Sequence, residues 1–188
     1  MNLTPFHQFF EHCVGRWQTE RTYHYLTHQE VERSHTDFVI NPLTSEHKQK
    51  VLTDNAYDSP GDSEVLAELP GFHLEFNTVS ETGEQVGHAL NMLFVTKGET
   101  GPILTGDYLR DRAYEESRPI VSQFRFNTES LELLMTTTYS RIISVDSITL
   151  VNPTLRIRRI LNYHRPQDGE PMNQLALVGF GVEQKDRA

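Results

Sequence analysis

Gly15-Arg16-Trp17-Gln18-Thr19-Glu20-Arg21-Thr22-Tyr23-His24-Tyr25 alternates with a period of two. In an extended chain Trp17, Thr19, Arg21, Tyr23 and Tyr25 share one face, while Gln18, Glu20, Thr22 and His24 share the other. The stretch therefore predicts a β-strand with one bulky face. Runs of the same kind recur at 32–40, 48–55, 65–69, 73–79, 85–95, 103–110, 120–126, 131–139, 142–151, 155–163 and 174–182. Turn chemistry separates them: Asn41-Pro42, Ser59-Pro60-Gly61-Asp62, Thr82-Gly83, the glycine-spaced segment Gly98 to Pro102, Asn127-Thr128-Glu129, Asn152-Pro153 and Pro166-Gln167-Asp168-Gly169. Eleven or twelve short strands with almost no helix between them predict an all-β fold, an antiparallel up-and-down barrel.

Upstream of this series the period changes. Phe6, Phe9, Phe10 and Cys13 recur at helical spacing. Thr4 reads as the N-cap, Pro5 as the first helical residue and Gly15 as the terminator. The expectation is a short helix within 1–15 that plugs or covers the barrel. With no repeat and no long linker, residues 1–188 read as one domain, and the charged end, 183–188, reads as a frayed tail.

Composition excludes several classes of function. The formal net charge of the 188 residues is −9, which opposes bulk nucleic-acid binding. It equally opposes an anionic ligand, so such a ligand would need a local cluster of cations. No run approaches the length of a membrane span. The N-terminus lacks the basic and apolar regions of a signal peptide, so the protein is expected to remain in the compartment where it is made. The single cysteine, Cys13, allows no internal disulfide. It reads as a small buried hydrophobe, because no cation adjoins it in sequence. No metal site is expected: His24 and His28 lie near the end of a strand, where four residues span roughly 13 Å. Nucleophile elbows and Walker-type phosphate loops are absent.

Three features carry a chemical signal. In Leu155-Arg156-Ile157-Arg158-Arg159-Ile160, Arg156 and Arg158 share one strand face, and Arg159 takes the other. Spacing alone fits two placements: outside, in surface ion pairs, or inside, where unpaired guanidiniums would require ligand carboxylates. Arg21, on the Trp17 face, could supply a third cation. Asp146 fits either an exposed carboxylate or a barrel carboxylate facing nitrogen donors. Gly15-Arg16-Trp17 resembles the Gly-x-Trp of lipocalin-like barrels, in which the indole closes the base beside an arginine from a late strand. Gly15 and Trp17 are thus structural candidates.

Taken together, these residues resemble the S-type phycobiliprotein lyases, the CpcS/CpeS family. Gly15-Arg16-Trp17 with Glu20-Arg21-Thr22-Tyr23-His24 is similar to that family's opening. Arg110-Asp111-Arg112-Ala113-Tyr114-Glu115 followed by Pro119-Ile120 is similar to its "LR-x-R-x-Y-x-E … PV" segment, and Asn152 to Arg158 to its "PNLRLR" strand. The resemblance implies a lipocalin-like (calycin) barrel that binds a linear tetrapyrrole and attaches it, through a thioether, to a cysteine of an apo-phycobiliprotein subunit. It implies a phycobilin, phycocyanobilin or a related one, as substrate, with no permanently bound cofactor. Arg156 and Arg158 would hold its propionates, and Asp146 would be the catalytic acid near the pyrrole nitrogens. The implied setting is the cyanobacterial cytosol or a plastid stroma. A homodimer, or a heterodimer with a paralogous lyase subunit, is compatible with it. The other readings are a non-catalytic assisting subunit and a carrier of bilin or another hydrophobic ligand. The chain departs from the family pattern at Ile160, where a serine is usual, at Asp146 to Leu150, which replaces an aromatic stretch, and across 41–100. These departures imply a different bilin or acceptor, or the need for a partner subunit.

Overall fold

The computed structural model describes residues 3–58, 62–112 and 118–186. Among them ten strands pair antiparallel in chain order: β1 (Gly15–Tyr25), β2 (Glu30–Pro42), β3 (Gly71–Ser80), β4 (Gln85–Thr100), β5 (Ile103–Arg110), β6 (Ile120–Asn127), β7 (Glu132–Thr138), β8 (Ile142–Asn152), β9 (Leu155–His164) and β10 (Leu175–Lys185). β1 also pairs with β10, so the meander closes into a barrel without free edges. The expected all-β barrel is therefore the fold. The Ser59-Pro60-Gly61 part of one expected turn and the Ala113-Tyr114-Glu115 part of one motif lie outside the described residues.

Two expected strands are helices. Residues 48–55 fall in α2 (Ser45–Asp54) and residues 65–69 overlap α3 (Ser63–Glu68). The reason is local. Lys48, Val51 and Leu52 are buried at i, i+3, i+4 spacing, the period of a helix face. Thr44 accepts from the His47 amide and Asp62 from the Glu64 amide, so each helix starts on a side-chain cap. Val51, Leu52 and Leu66 bury Leu93 and Leu109 on the outer face of β4 and β5. Lys48 Nζ donates to the Ala67 carbonyl at 2.6 Å and fastens the end of α3 to α2.

The N-terminal helix, α1 (Thr4–Cys13), plugs one end of the barrel. Leu3, not Thr4, is its N-cap, and Pro5 follows Thr4 inside the first turn, where amides lack helical acceptors and a proline costs nothing. Phe6 stacks on Phe124 at 5.3 Å, Phe9 meets Phe126 at 5.2 Å, and Phe10 lies between Phe72 and Phe94. Gly15 turns the chain into β1 with φ of 128°, a backbone state reserved for glycine.

The expected frayed tail is the main correction. β10 runs to Lys185, and Glu183 is wholly buried. Arg156 Nε donates to Glu183 Oε2 at 2.9 Å, and its guanidinium lies 4.3 Å from the Trp17 ring centre. Trp17 Nε1 donates to the Cys13 carbonyl at 2.8 Å, and Lys185 Nζ to the His12 carbonyl at 3.0 Å. The last carbonyls of α1 are thus met by two side chains of the barrel. Charge in this tail acts as a fastening at two positions, because Glu183 and Lys185 each meet a partner in the base.

Burial would push the Glu183 carboxyl up, but Arg156, Arg158 and Arg21 hold it below its ordinary value. Glu183→Ala should cost about 3–5 kcal/mol in urea unfolding, since it strands a buried guanidinium; a loss under about 1 kcal/mol would return this segment to a frayed tail. The stability contributed by a depressed carboxyl is complete above its ordinary value of 4.5 and is lost as pH falls through the native value. Wild type should therefore lose stability more steeply below that value than Glu183→Gln does.

Candidate functional site

Register stacks the inner wall into layers, each shared by β1, β10, β9, β8 and β7. Furthest from α1 is the row Tyr25, Leu177, Asn162, Ser144, Thr137; below it come Tyr23, Gly179, Ile160, Asp146, Met135; then Arg21, Gly181, Arg158, Ile148, Leu133. Thr19, Glu183, Arg156 and Leu150 lie beneath them, above Trp17. Between these rows and the aromatic side chains of β3 to β5 lies a cavity of about 460 Å³, in the size range of small-molecule sites. Phe38, Phe72, Phe76, Met92, Phe94 and Tyr108 give it an apolar wall opposite the charged rows.

Both Arg156 and Arg158 face inward, so the outside placement does not apply. The argument that they need ligand carboxylates does not hold either, because each has an internal partner. Arg156 answers Glu183, and Arg158 forms a two-point pair with Asp146, donating from Nε at 3.0 Å and from Nη2. The two arginines are also unequal. The side chain of Arg156 keeps 4% of its accessible surface, against 20% for Arg158 and 17% for Asp146. Burial would lower the Arg156 pKa, yet Glu183 raises it overall. Glu183 Oε1 lies 4.0 Å from Arg158 Nη1, so charges alternate along the wall from Arg156 through Glu183 and Arg158 to Asp146.

Arg21 lines the cavity opposite Gly181, as does Arg158 from the other side. A Cβ on Gly181 would stand 2.9 Å from Thr19 Oγ1 and 3.3 Å from Arg21 Cγ. The missing side chain makes room for Arg21 and Thr19. Arg159 is exposed on the outer face, as its position in the strand predicts. Ile160 sits inward beside Asp146. Cys13 is buried at the floor, where burial pushes its thiol up although Arg156 opposes the shift. Tyr25 is pushed up to about 12, by burial and then by Glu32, and stays protonated.

Sequence reasoning missed Glu183 and Arg110. Arg110 ends β5 inside the cavity wall, donating to Tyr139 Oη at 2.7 Å and lying 5.2 Å from the Tyr108 ring centre. The available signal was the period of two along β5, which puts Arg110 on the same face as Leu104, Gly106 and Tyr108. Among the described lining residues four arginines (Arg21, Arg110, Arg156, Arg158) face one carboxylate, Asp146. A chain of net charge −9 thus gathers cations inside its barrel. No group of three or more His, Cys, Asp or Glu among the described residues could hold a metal ion.

A family model described as "CpeS-like protein" matches residues 5–185. The chain belongs to the CpeS-like family. Within it, "Chromophore lyase CpcS/CpeS 1" of Synechococcus sp. (strain JA-3-3Ab) is 61% identical, over 97% of both chains. "Phycocyanobilin lyase subunit CpcS" of Picosynechococcus sp. is 22% identical over 80% of this chain and 74% of its own. The solved S-type phycobiliprotein lyase CPES from Guillardia theta shares the fold, with a TM-score of 0.76 at 16% identity over 97% of this chain and 93% of that one. In this CpeS-like barrel the wall that carries Arg158 and Asp146 depends on glycines in β10.

A Cβ on Gly179 would approach the Tyr23 ring to 2.7 Å and Ile160 Cβ to 3.3 Å. Gly179→Ala should leave the barrel folded but swing the Tyr23 ring into the cavity. Affinity for an apolar fluorescent probe should fall several-fold; unchanged affinity would show that this wall does not shape the cavity.

Proposed function

We propose that the protein is a phycobiliprotein chromophore lyase that binds a linear tetrapyrrole, phycocyanobilin or a related phycobilin, inside the barrel. It delivers the bilin to a cysteine of an apo-phycobiliprotein subunit in the cyanobacterial cytosol. The observation that carries this reading is the Arg158–Asp146 pair, half-shielded in the wall of a largely apolar cavity with Arg21 nearby. A conjugated tetrapyrrole suits the aromatic wall, and its propionates suit a guanidinium fork. The naming of a 61% identical relative as a chromophore lyase supports the same reading.

In this reading the ion pair is an exchangeable contact. A ligand propionate takes Arg158 from Asp146, with Arg21 adding positive potential. Asp146 is then released to accept from the pyrrole nitrogens, favouring the protonated and more electrophilic tetrapyrrole. Arg156 acts from beneath, through Glu183, as a positioning residue. The acceptor cysteine adds across the exocyclic ethylidene double bond of the terminal ring: sulfur bonds to carbon, and the thiol proton ends on the tetrapyrrole. No oxidant is consumed. Cys13, buried and held protonated, is not the nucleophile.

A second reading has the protein assist a paralogous lyase, and it draws support from the relative named as a lyase subunit. Co-expression with a bilin source and an apo-subunit separates the two. The proposal expects a denaturation-resistant adduct that needs this protein, falls at least about tenfold in Arg158→Ala, and forms more slowly with retained binding in Asp146→Asn. Equal adduct yield and stereochemistry without the protein would reject the lyase reading. Activity restored only by a paralogue would favour the assisting one.

A further inference from the structure

Asn162 stands on the cavity wall in line with Arg158 and Ile160, four residues beyond the arginine on the same face of β9. That spacing is roughly 13 Å along an extended strand. Its Oδ1 is buried and has no hydrogen-bond partner. Across the ladder it is flanked by Leu177 on β10 and Ser144 on β8. The leucine offers nothing to a carboxamide, and the Ser144 hydroxyl does not bond to it, so the acceptor is shielded from water without a protein donor. Such a group is costly unless a donor reaches it.

We propose that Asn162 is a ligand-binding residue that takes the lactam edge of a terminal ring of the bound tetrapyrrole; this rests on the bilin reading above. The terminal rings of a linear tetrapyrrole are lactams, with N–H and C=O held side by side in a cis amide. A primary carboxamide is complementary to that edge: once it turns its shielded oxygen into the cavity, the oxygen accepts from the N–H while the NH₂ donates to the carbonyl. Arg158 and Asn162 then recognise different parts of one molecule. The deeper fork takes a propionate of the central rings, and the carboxamide nearer the open end takes a terminal ring. This fixes the direction in which the tetrapyrrole lies along β9, and keeps a terminal ring at the end of the barrel remote from α1.

The test titrates phycocyanobilin and its terminal lactim methyl ethers, which have lost the N–H, into wild type, Asn162→Ala and Asn162→Leu. Absorbance reports binding, and circular dichroism reports folding. Asn162→Leu keeps the wall filled should the smaller variant perturb it. Wild type should prefer the lactam over the lactim ether by about tenfold, and both variants should lose that preference by weakening the lactam ligand alone. Preference retained in the variants, or equal weakening of both ligands, would overturn the assignment while leaving bilin binding in place. Wild type that binds neither ligand would remove the bilin reading and this inference together.

Discussion

A guanidinium with almost no access to water must have its charge answered on the spot, and the base of this barrel is built around doing so for Arg156. The indole of Trp17 covers one side and the carboxylate of Glu183 meets its edge. Neither contact is strong in water, but in a desolvated setting a cation–π contact contributes about 2 kcal/mol. Three distant segments converge here: the start of β1, the start of β9 and the end of β10. Through Cys13 and His12 the same cluster holds the end of α1. Closure of the barrel, seating of the plug and register of β9 thus share one set of contacts.

Register then determines chemistry. With Arg156 fixed opposite Glu183, Arg158 must fall opposite Gly181, and the β8–β9 register that sets Leu150 opposite Arg156 brings Asp146 opposite Ile160. The ladder of alternating charge ends in a pair that is neither fully buried nor exposed. A fully buried pair would be too costly to separate, and an exposed one too weak to select a ligand. The half-shielded pair lies between these limits, and the proposed exchange of Asp146 for a propionate draws on that. In that proposal the deep pair stays closed and the shallow one is available.

The barrel was legible in the sequence because period-two alternation survives single-sequence reading, as in β1 and β9. The inward face of Trp17 and Arg21 could be read from it, and so could the helix that carries Phe6, Phe9 and Phe10. The two helices between β2 and β3 were not: Lys48 belongs to the buried face of α2 and disguises its period, and α3 is six residues long with only Leu66 buried, too short to show one. Glu183 was lost for a related reason: a charged terminal stretch is usually solvated, and only a partner 27 residues away in sequence makes it a core residue. The inequality of Arg156 and Arg158 is likewise a property of neighbouring strands. Two residues apart on one face, they look alike until Gly181 and Glu183 are placed opposite them.

The central claim, that the shallow Arg158–Asp146 pair receives the ligand while the deep pair holds the barrel, is tested most directly by a crystal structure of the protein with phycocyanobilin bound. The account predicts a propionate on Arg158, Asp146 turned towards the pyrrole nitrogens, and Arg156 still paired with Glu183. A bilin on the outer surface, or a propionate on Arg156 with Glu183 displaced, would contradict it.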